Sequence, residues 1–296
     1  MLWYKSWLET RSRFLIGLVI MMLAAVGAVV AYPSVMKLVP LATTANPGGE
    51  IGRRIMELAS RDLKRVSLEL GGKSPNIVFA DADWQRAAET SPMSVFANTG
   101  QDCCARSRVF VEGGIYELFV EKFVAATKNL IVGDPAKAET QLGPLVSSGQ
   151  RATVEEFLAD ARKRGSQFAC GGGRPRKKGY YLEPTVLLDV GKDDRCWREE
   201  IFGPVVCITP FDDETQMLRD VNASPYGLSS SLWTNDLRRV LRLARRIESG
   251  VLSVNSHSSV HAEAPFGGFK QSGLGRDLGM AAMEGYTELK NVYVAE

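Results

Sequence analysis

What the chain has little of narrows its function first. Among 296 residues, Lys plus Arg number 36 and Asp plus Glu 34, a formal net charge of +2. With neither sign in excess, no global field draws the chain to nucleic acid or to an acidic partner, and no nucleic-acid role is expected. Internal repeats and low-complexity tracts are lacking too, which excludes solenoid and fibrous classes. The five cysteines, Cys103, Cys104, Cys170, Cys196 and Cys207, are odd in number and fit neither a disulfide framework nor a CxxC zinc pattern. They read as reduced thiols, at least one of them reactive. No Gly-Lys-Ser/Thr accompanies the glycine run 171–173, so that run, with Arg174, Lys177 and Lys178, reads as a surface turn and not a phosphate loop. His257 and His261 sit four apart near Glu263, but the Ser-rich stretch before Pro265 is a poor helix and adds no further ligand, so no metal site is expected.

One long uncharged run is present. Phe14 to Tyr32 carries no charge and closes at Pro33; as a helix rising ~1.5 Å per residue it would cover roughly 28 Å, about one bilayer core. A cleaved signal peptide and a buried core helix are the competing readings, but the first has a shorter apolar region and the second rarely lacks a polar face over such a length. The expectation is a single membrane span through residues 14–32. Lys5, Arg11 and Arg13 before it and Lys37 after it favour a cytoplasmic amino terminus. Val35 to Gly49, short of charge and carrying Pro40 and Pro47, reads as a connector.

Beyond the connector, helical and strand patterns alternate. Ile51, Ile55 and Leu58 share one face of a helix over 50–60, and 66–70 and 76–79 read as extended. Further helices are predicted over 116–130, from Val154 to Gly165, over 213–221 and over 235–247, with strands over 205–208, 230–233 and 252–254. This alternation predicts an α/β fold.

Four stretches carry chemistry: Val66–Pro75 (VSLELGGKSP), Asn98–Cys104 (NTGQDCC), Glu199–Val205 (EEIFGPV) and Pro265–Gly275 (PFGGFKQSGLG). In this order they resemble the aldehyde dehydrogenase superfamily. Gly133-Asp134-Pro135, Gln141-Leu142-Gly143-Pro144 and Glu183-Pro184-Thr185 extend the resemblance, which runs from about Gly48 to the end. It implies a catalytic domain with a parallel sheet and flanking helices, a small-molecule aldehyde as substrate, and NAD or NADP as cofactor.

Oxidising an aldehyde needs a nucleophile that turns the carbonyl into a tetrahedral alkoxide, a task suited to a thiolate. The resemblance places that role on Cys103, two residues after Gln101, with Cys104 a poorer candidate; Cys170, Cys196 and Cys207 read as structural thiols. Asp102 departs from the family's small or neutral residue, and a carboxylate close to the sulfur would raise the thiol pKa. The thioester left after hydride transfer needs a base to activate water. The resemblance gives this to Glu69, whose presence favours hydrolysis to the free acid over transfer to coenzyme A. Glu200 and Phe202 match positions that hold the nicotinamide ribose, a carboxylate for its hydroxyls and a ring beside the sugar. Leu70 falls in the same cofactor-side match, and Gly48 opens a shortened glycine turn whose amides would face the pyrophosphate. Phe266 and Asn255 would shape the aldehyde pocket. Without the resemblance, Glu69 and Glu200 would read as ordinary carboxylates, and Phe202 and Phe266 as core aromatics.

The resemblance also implies a truncated cofactor domain, lacking adenosine contacts and the oxyanion-hole asparagine. Unpaired sheet edges and an exposed apolar face would follow. Tyr286–Val294 resembles the strand that relatives use in assembly, which leaves a homo-oligomer as an expectation. The division expected is a membrane-spanning segment over 1–42, a remnant of the dinucleotide-binding domain over 43–80, a catalytic domain over 81–262, and a return to the cofactor and oligomerisation region over 263–296. Residues 1 to about 42 resemble the opening of a bacterial exporter permease. An amino terminus inside would export the catalytic part, away from nicotinamide cofactors, so its side of the membrane stays open. Two functions follow: an oxidoreductase taking an aldehyde to a carboxylic acid through a cysteine thiohemiacetal and thioester, or an inactive membrane-anchored fragment or fusion product.

Overall fold

The computed structural model describes residues 47–176 and 178–296. The chain divides into two compact units, 1–51 and 52–296. Of the first, only the residues that begin helix α1 (Pro47–Ser60) are described. The second unit carries β1 (Leu68–Glu69), β2 (Pro75–Val78), α2 (Trp84–Phe96), β3 (Arg108–Glu112), α3 (Tyr116–Lys128), α4 (Ser148–Arg164), β4 (Gln167–Cys170) and β5 (Thr185–Leu188). There follow α5 (Arg195–Arg198), β6 (Val205–Phe211), α6 (Glu214–Asn222), β7 (Tyr226–Gly227), β8 (Ser229–Trp233), α7 (Leu237–Ala244), β9 (Val251–Val254), β10 (Phe269–Lys270), β11 (Gly273–Leu274) and α8 (Ala282–Gly285).

One sheet has the order β4-β5-β6-β3-β2-β8-β9. Every neighbouring pair is parallel except β4 with β5. Successive strand residues point to opposite faces. Ile77 and Phe110 therefore enter one core with Leu158 and Trp197, while Val78, Val109 and Val111 enter another with Phe96, Phe119 and Phe123. A parallel sheet covered on both faces hides both sets, which is why Ile77-Val78 of β2 and Val109-Phe110-Val111 of β3 are apolar at consecutive positions. Phe110 meets Trp197 edge-on at 5.2 Å; cutting Trp197 back to Ala would cost about 3–5 kcal/mol.

Local signals set the helix ends. Asp83, Ser147, Asp213 and Asp236 cap α2, α4, α6 and α7 by accepting from backbone amides. Gly165, at φ 87°, ends α4 where the sequence predicts. The helix predicted over 235–247 closes earlier, because the amides of Arg246 and Ile247 both turn back to the carbonyl of Leu243. The extended stretch predicted over 66–70 reduces to β1, paired antiparallel with β11. No strand forms over 286–294: Tyr286, Leu289, Val292, Tyr293 and Val294 are exposed, and no described strand pairs with them. Ile55, Met56 and Leu58 on α1 are also exposed, the uncovered apolar face that the sequence leads one to expect.

The membrane expectation is corrected. Residues 14–32 lie outside the described residues, and among the described residues no helix is long and apolar enough to cross a membrane. Neither these residues nor the relatives support a single-pass localisation or a membrane partner.

Candidate active site

VSLELGGKSP enters β2, NTGQDCC enters β3 and EEIFGPV enters β6; these strands are neighbours and parallel. Their entry segments consequently meet at the amino-terminal ends of the strands. Ligands of open α/β sheets usually sit at the carboxyl ends, so here the motifs, and not the fold class, locate the site. Glycines let the segments touch. A Cβ on Gly71 would lie 2.0 Å from Glu200 Oε2, and one on Gly72 would lie 2.3 Å from the Cys103 carbonyl oxygen. Gly100, at φ 72°, abuts Gly203, whose carbonyl oxygen would be 2.1 Å from an added Cβ. The Gly72 amide donates to Glu200 Oε1 at 2.9 Å. Ser272 holds the same segment from the other side: its hydroxyl donates to Gly71 O at 2.7 Å, and its carbonyl accepts from Leu70 N at 2.9 Å.

A cleft of about 620 Å³ opens over the cysteine turn, lined by Met93, Asp102, Cys103, Arg106, His257 and Phe266 among others. Cys103 is half-buried and Cys104 buried. Asp102 Oδ1 accepts from Cys104 N at 2.8 Å, so the carboxylate does lie beside the sulfurs. The Cys103 thiol is held well above its ordinary range, first by its hydrogen bond to Cys104, then by burial and by the charges of Cys104, Asp102 and Glu200. Cys104 is pulled down, chiefly by the same hydrogen bond, with Arg106 and Ser229 assisting. Burial and then Asp277 push the Glu69 carboxyl up to about 6, against Arg276. That carboxyl lies beside Gly267, where an added Cβ would be 2.9 Å from Oε1, one residue past Phe266 of the cleft wall. Burial pushes Glu200 up to about 7, in spite of the Gly72 amide and Lys73. Phe202, at φ 51°, is 40% exposed. Gly72, Asp102, Glu200 and Phe202 line a separate crevice, so the turn bearing Cys103 stands between crevice and cleft.

The sequence profile of the aldehyde dehydrogenase family matches residues 42–292. The chain belongs to this family. It is 45% identical over 246 residues to a betaine aldehyde dehydrogenase of Rhizobium leguminosarum, covering 82% of this chain and 50% of that protein. It is 43% identical over 244 residues to an aldehyde dehydrogenase of Emericella nidulans, covering 82% and 49%. The NAD+ complex of an aldehyde dehydrogenase from Bacillus cereus superposes with a TM-score of 0.81 at 41% identity, over 83% of this chain and 50% of that one. The chain thus spans about half the length of these relatives. The family match does not reach residues 14–32, and nothing in these comparisons supports the exporter-permease resemblance over 1–42.

Within this aldehyde dehydrogenase fold the remaining expected site residues are dispersed. Leu70 is partly buried, with its side chain against Gly52, and Gly48 lies in the first turn of α1. Asn255 does not line the cleft: its amide group bonds both the N and the O of Thr234 at 3.0 Å. His257 to Val260 of the same loop line the cleft instead. The two histidines do not converge, since His257 bonds Ser91 and Ser231 while His261 bonds Ser258. Burial and Arg106 push His257 down to about 4, leaving it neutral. Among the described residues, the one group with metal-ligand spacing is Asp102, Cys103 and Cys104, whose ligand atoms lie within 4.8 Å of one another. Sequence reasoning missed Ser272 and Arg106; Gly273, directly after the serine, was a signal for the first, and nothing local marked the second.

Proposed function

We propose that the chain carries the cysteine and the base of an aldehyde dehydrogenase that takes an aldehyde to a carboxylic acid. The observation that carries this reading is the Gly71–Gly72 pair, fitted between Glu200 and Cys103, which puts groups from three motifs in one corner. The sulfur of Cys103 adds to the carbonyl carbon to give a thiohemiacetal, with Phe266, Met93 and Val260 as the apolar wall. NAD or NADP supplies hydride acceptance when bound, which leaves a thioester on Cys103. Glu69, raised only to about 6, is mostly ionised at neutral pH and basic enough to take the proton of an attacking water. Glu200 and the half-exposed Phe202 ring share one crevice, which fits the ribose end of such a cofactor. Leu70 and Gly48 belong to the cofactor side, and Asn255 shapes the pocket by anchoring its loop on Thr234. Within the second unit, residues 52–80 and 263–296 belong to that cofactor side beside a catalytic domain over 81–262, a grouping supported by the β1–β11 pairing. The family also makes a homo-oligomer the assembly to look for, and the name of the Rhizobium relative makes betaine aldehyde the first substrate to try.

The test is stoichiometric labelling of the purified chain by an aldehyde-mimicking electrophile, together with NADH or NADPH formation from an aldehyde panel. Labelling at Cys103, with turnover lost in Cys103→Ser, is the expected result; labelling elsewhere or nowhere overturns the reading. Labelling of Cys103 without cofactor reduction assigns the second reading, a preserved pocket without turnover.

A further inference from the structure

The ligand spacing that the two histidines lack is present in the cysteine turn. Asp102, Cys103 and Cys104 place a carboxylate oxygen and two sulfurs within 4.8 Å of one another, and all three residues line the cleft of about 620 Å³. A metal held ~2.3 Å from sulfur and ~2.0 Å from oxygen has tetrahedral edges of roughly 3.5–3.8 Å, so side-chain movements of about 1 Å close the set. The backbone beneath is already held. Asp102 Oδ1 accepts from Cys104 N at 2.8 Å, and Asp102 O accepts from Ala105 N at 3.0 Å. The Cys103 carbonyl packs on Gly72, and the Cys104 carbonyl accepts from Arg106 Nη1 at 2.5 Å. A metal therefore meets a formed turn and has only side chains to order. Charge selects a dication. Arg106 is 1% exposed and bonds neutral oxygens of Ser230, Ser231, Ser259 and Cys104, while the Asp102 carboxylate acts on it through space. With both thiols protonated, Asp102 balances Arg106. With both sulfurs ligating, two thiolates and one carboxylate are balanced by a dication and Arg106, so the turn carries no net charge in either state.

We propose that Asp102, Cys103 and Cys104 form a site for a thiophilic divalent cation of the Zn2+ and Cd2+ class, and that its binding takes Cys103 out of use as a nucleophile until the metal is removed. Two sulfurs among three ligands reject Mg2+ and Ca2+, which take oxygen. On binding, the S–H bond of each cysteine breaks, each sulfur gives an electron pair to the metal, and two protons leave to solvent; nothing is oxidised or reduced. Three protein ligands leave a fourth position, which opens on the cleft and admits water. His257, on the same cleft wall, bonds Ser91 and Ser231 and stays outside the ligand set. A Cys103 sulfur whose electron pair is committed to a metal cannot add to a carbonyl carbon. The inhibitory half of the proposal rests on the aldehyde dehydrogenase reading, in which Cys103 is the nucleophile; the binding half does not.

The test titrates the full chain with Cd2+, followed by the ultraviolet charge-transfer absorbance of its sulfur bonds, and with Zn2+ in competition with a chromophoric chelator, Mg2+ serving as the hard-cation control. One Cd2+ or Zn2+ per chain and no Mg2+ is the expected result. Cys103→Ser and Cys104→Ser should each weaken binding by at least about 10–100-fold and Asp102→Asn by about tenfold, with thermal midpoints on the same samples reporting that each variant is folded. Cys170→Ser, at a half-buried thiol away from the cleft, should bind as the wild type does. Bound Zn2+ should protect Cys103 from iodoacetamide, and a chelator should restore the rate. Wild-type affinity in either folded cysteine variant, or alkylation of the Zn2+-loaded chain at the metal-free rate, overturns the proposal. Turnover is read separately. Zn2+ bound and Cys103 protected, with no aldehyde oxidation by the metal-free chain, sinks the dehydrogenase reading and leaves the site standing; oxidation by a chain that binds neither metal sinks the site and leaves the dehydrogenase reading.

Discussion

Gly72→Ala should disable Cys103 without altering its side chain. The added Cβ would sit 2.3 Å from the Cys103 carbonyl oxygen, with Leu228 Cβ and Ser74 Oγ at 3.4 Å on other sides. Close carbon–oxygen contacts begin at about 3.3 Å, so the two backbones must part by about 1 Å. Both run directly into buried strands, and overpacking of this kind costs about 1–3 kcal/mol, or about 2–4 °C in thermal midpoint per kcal/mol for a unit of this size. A displacement of about 1 Å at a reacting group lowers its rate by ~10²-fold. Gly71→Ala is the control with the opposite outcome. Its Cβ would meet Glu200 Oε2 at 2.0 Å, the end of a side chain that can rotate away, so Cys103 stays in place and nicotinamide cofactor affinity falls. The assay is the rate of Cys103 alkylation, followed by peptide mass, with cofactor binding and thermal midpoint measured on the same samples. If Gly72→Ala alkylates at the wild-type rate, or if both variants lose Cys103 reactivity equally, the two glycines do not act as described.

Glu69→Gln should allow one round of acylation and then stall, because water loses its base. In the wild type, thioester hydrolysis should rise with pH through about 6, where Glu69 ionises; a steady-state rate flat across that window in the wild type would count against the assignment. Lys73 is buried, its Nζ has no partner, and burial lowers its pKa. The native state therefore holds fewer protons than the unfolded chain between that lowered value and the ordinary lysine range, so stability should climb as pH rises through this window. Lys73→Met should raise the thermal midpoint at pH 7 and flatten the climb; a lower midpoint would show that the amine has an unseen partner. Ile55→Lys combined with Leu58→Lys on the exposed face of α1 should reduce self-association in light scattering, and unchanged scattering would remove that face as its source.

The places of Cys103, Glu69, Glu200 and Phe266 in the fold follow from the sequence because each lies within a motif that enters a strand or closes on one, where neighbours in sequence stay neighbours in space. The strand at 205 was legible because Val205, Val206, Cys207 and Ile208 are buried on both faces and apolar without interruption; those at 230 and 252 contain Ser230, Ser231 and Ser253 and were marked instead by the Pro and Gly residues that bound them. Helix α2 was not, since Pro92 lies inside it and removes one amide from the ladder. Loops carry no periodicity to say which side chain turns inward, so the sequence points to Asn255 where His257 to Val260 line the cleft. Arg106 was illegible for a different reason. Its burial depends on Ser230 and Ser231 of β8 and on Ser259 of the loop beyond β9, residues far from it in sequence and individually unremarked.

The reactive turn is tied to the core by strand register. Arg108 opens β3 opposite Pro75 of β2 and Cys207 of β6, and it begins five residues after Cys103. Its guanidinium bonds Lys73 O at 3.0 Å and the carbonyls of Asp220 and Val221, which locks β3 to the segment carrying Gly71 and Gly72. Slipping β3 by one residue would send Phe110 from its contact with Trp197 to the opposite face and exchange Val109 and Val111 with it. The Cys103 carbonyl can approach Gly72 only in the present register. Substitutions deep in β3 should therefore alter thiol reactivity in proportion to their effect on register and not on distance: Phe110→Leu, which keeps an apolar residue on the same face, should cost stability and leave the rate of Cys103 alkylation in place. If Phe110→Leu changed that rate while the chain stayed folded, the turn would be answering to packing volume, and register could not be what holds it.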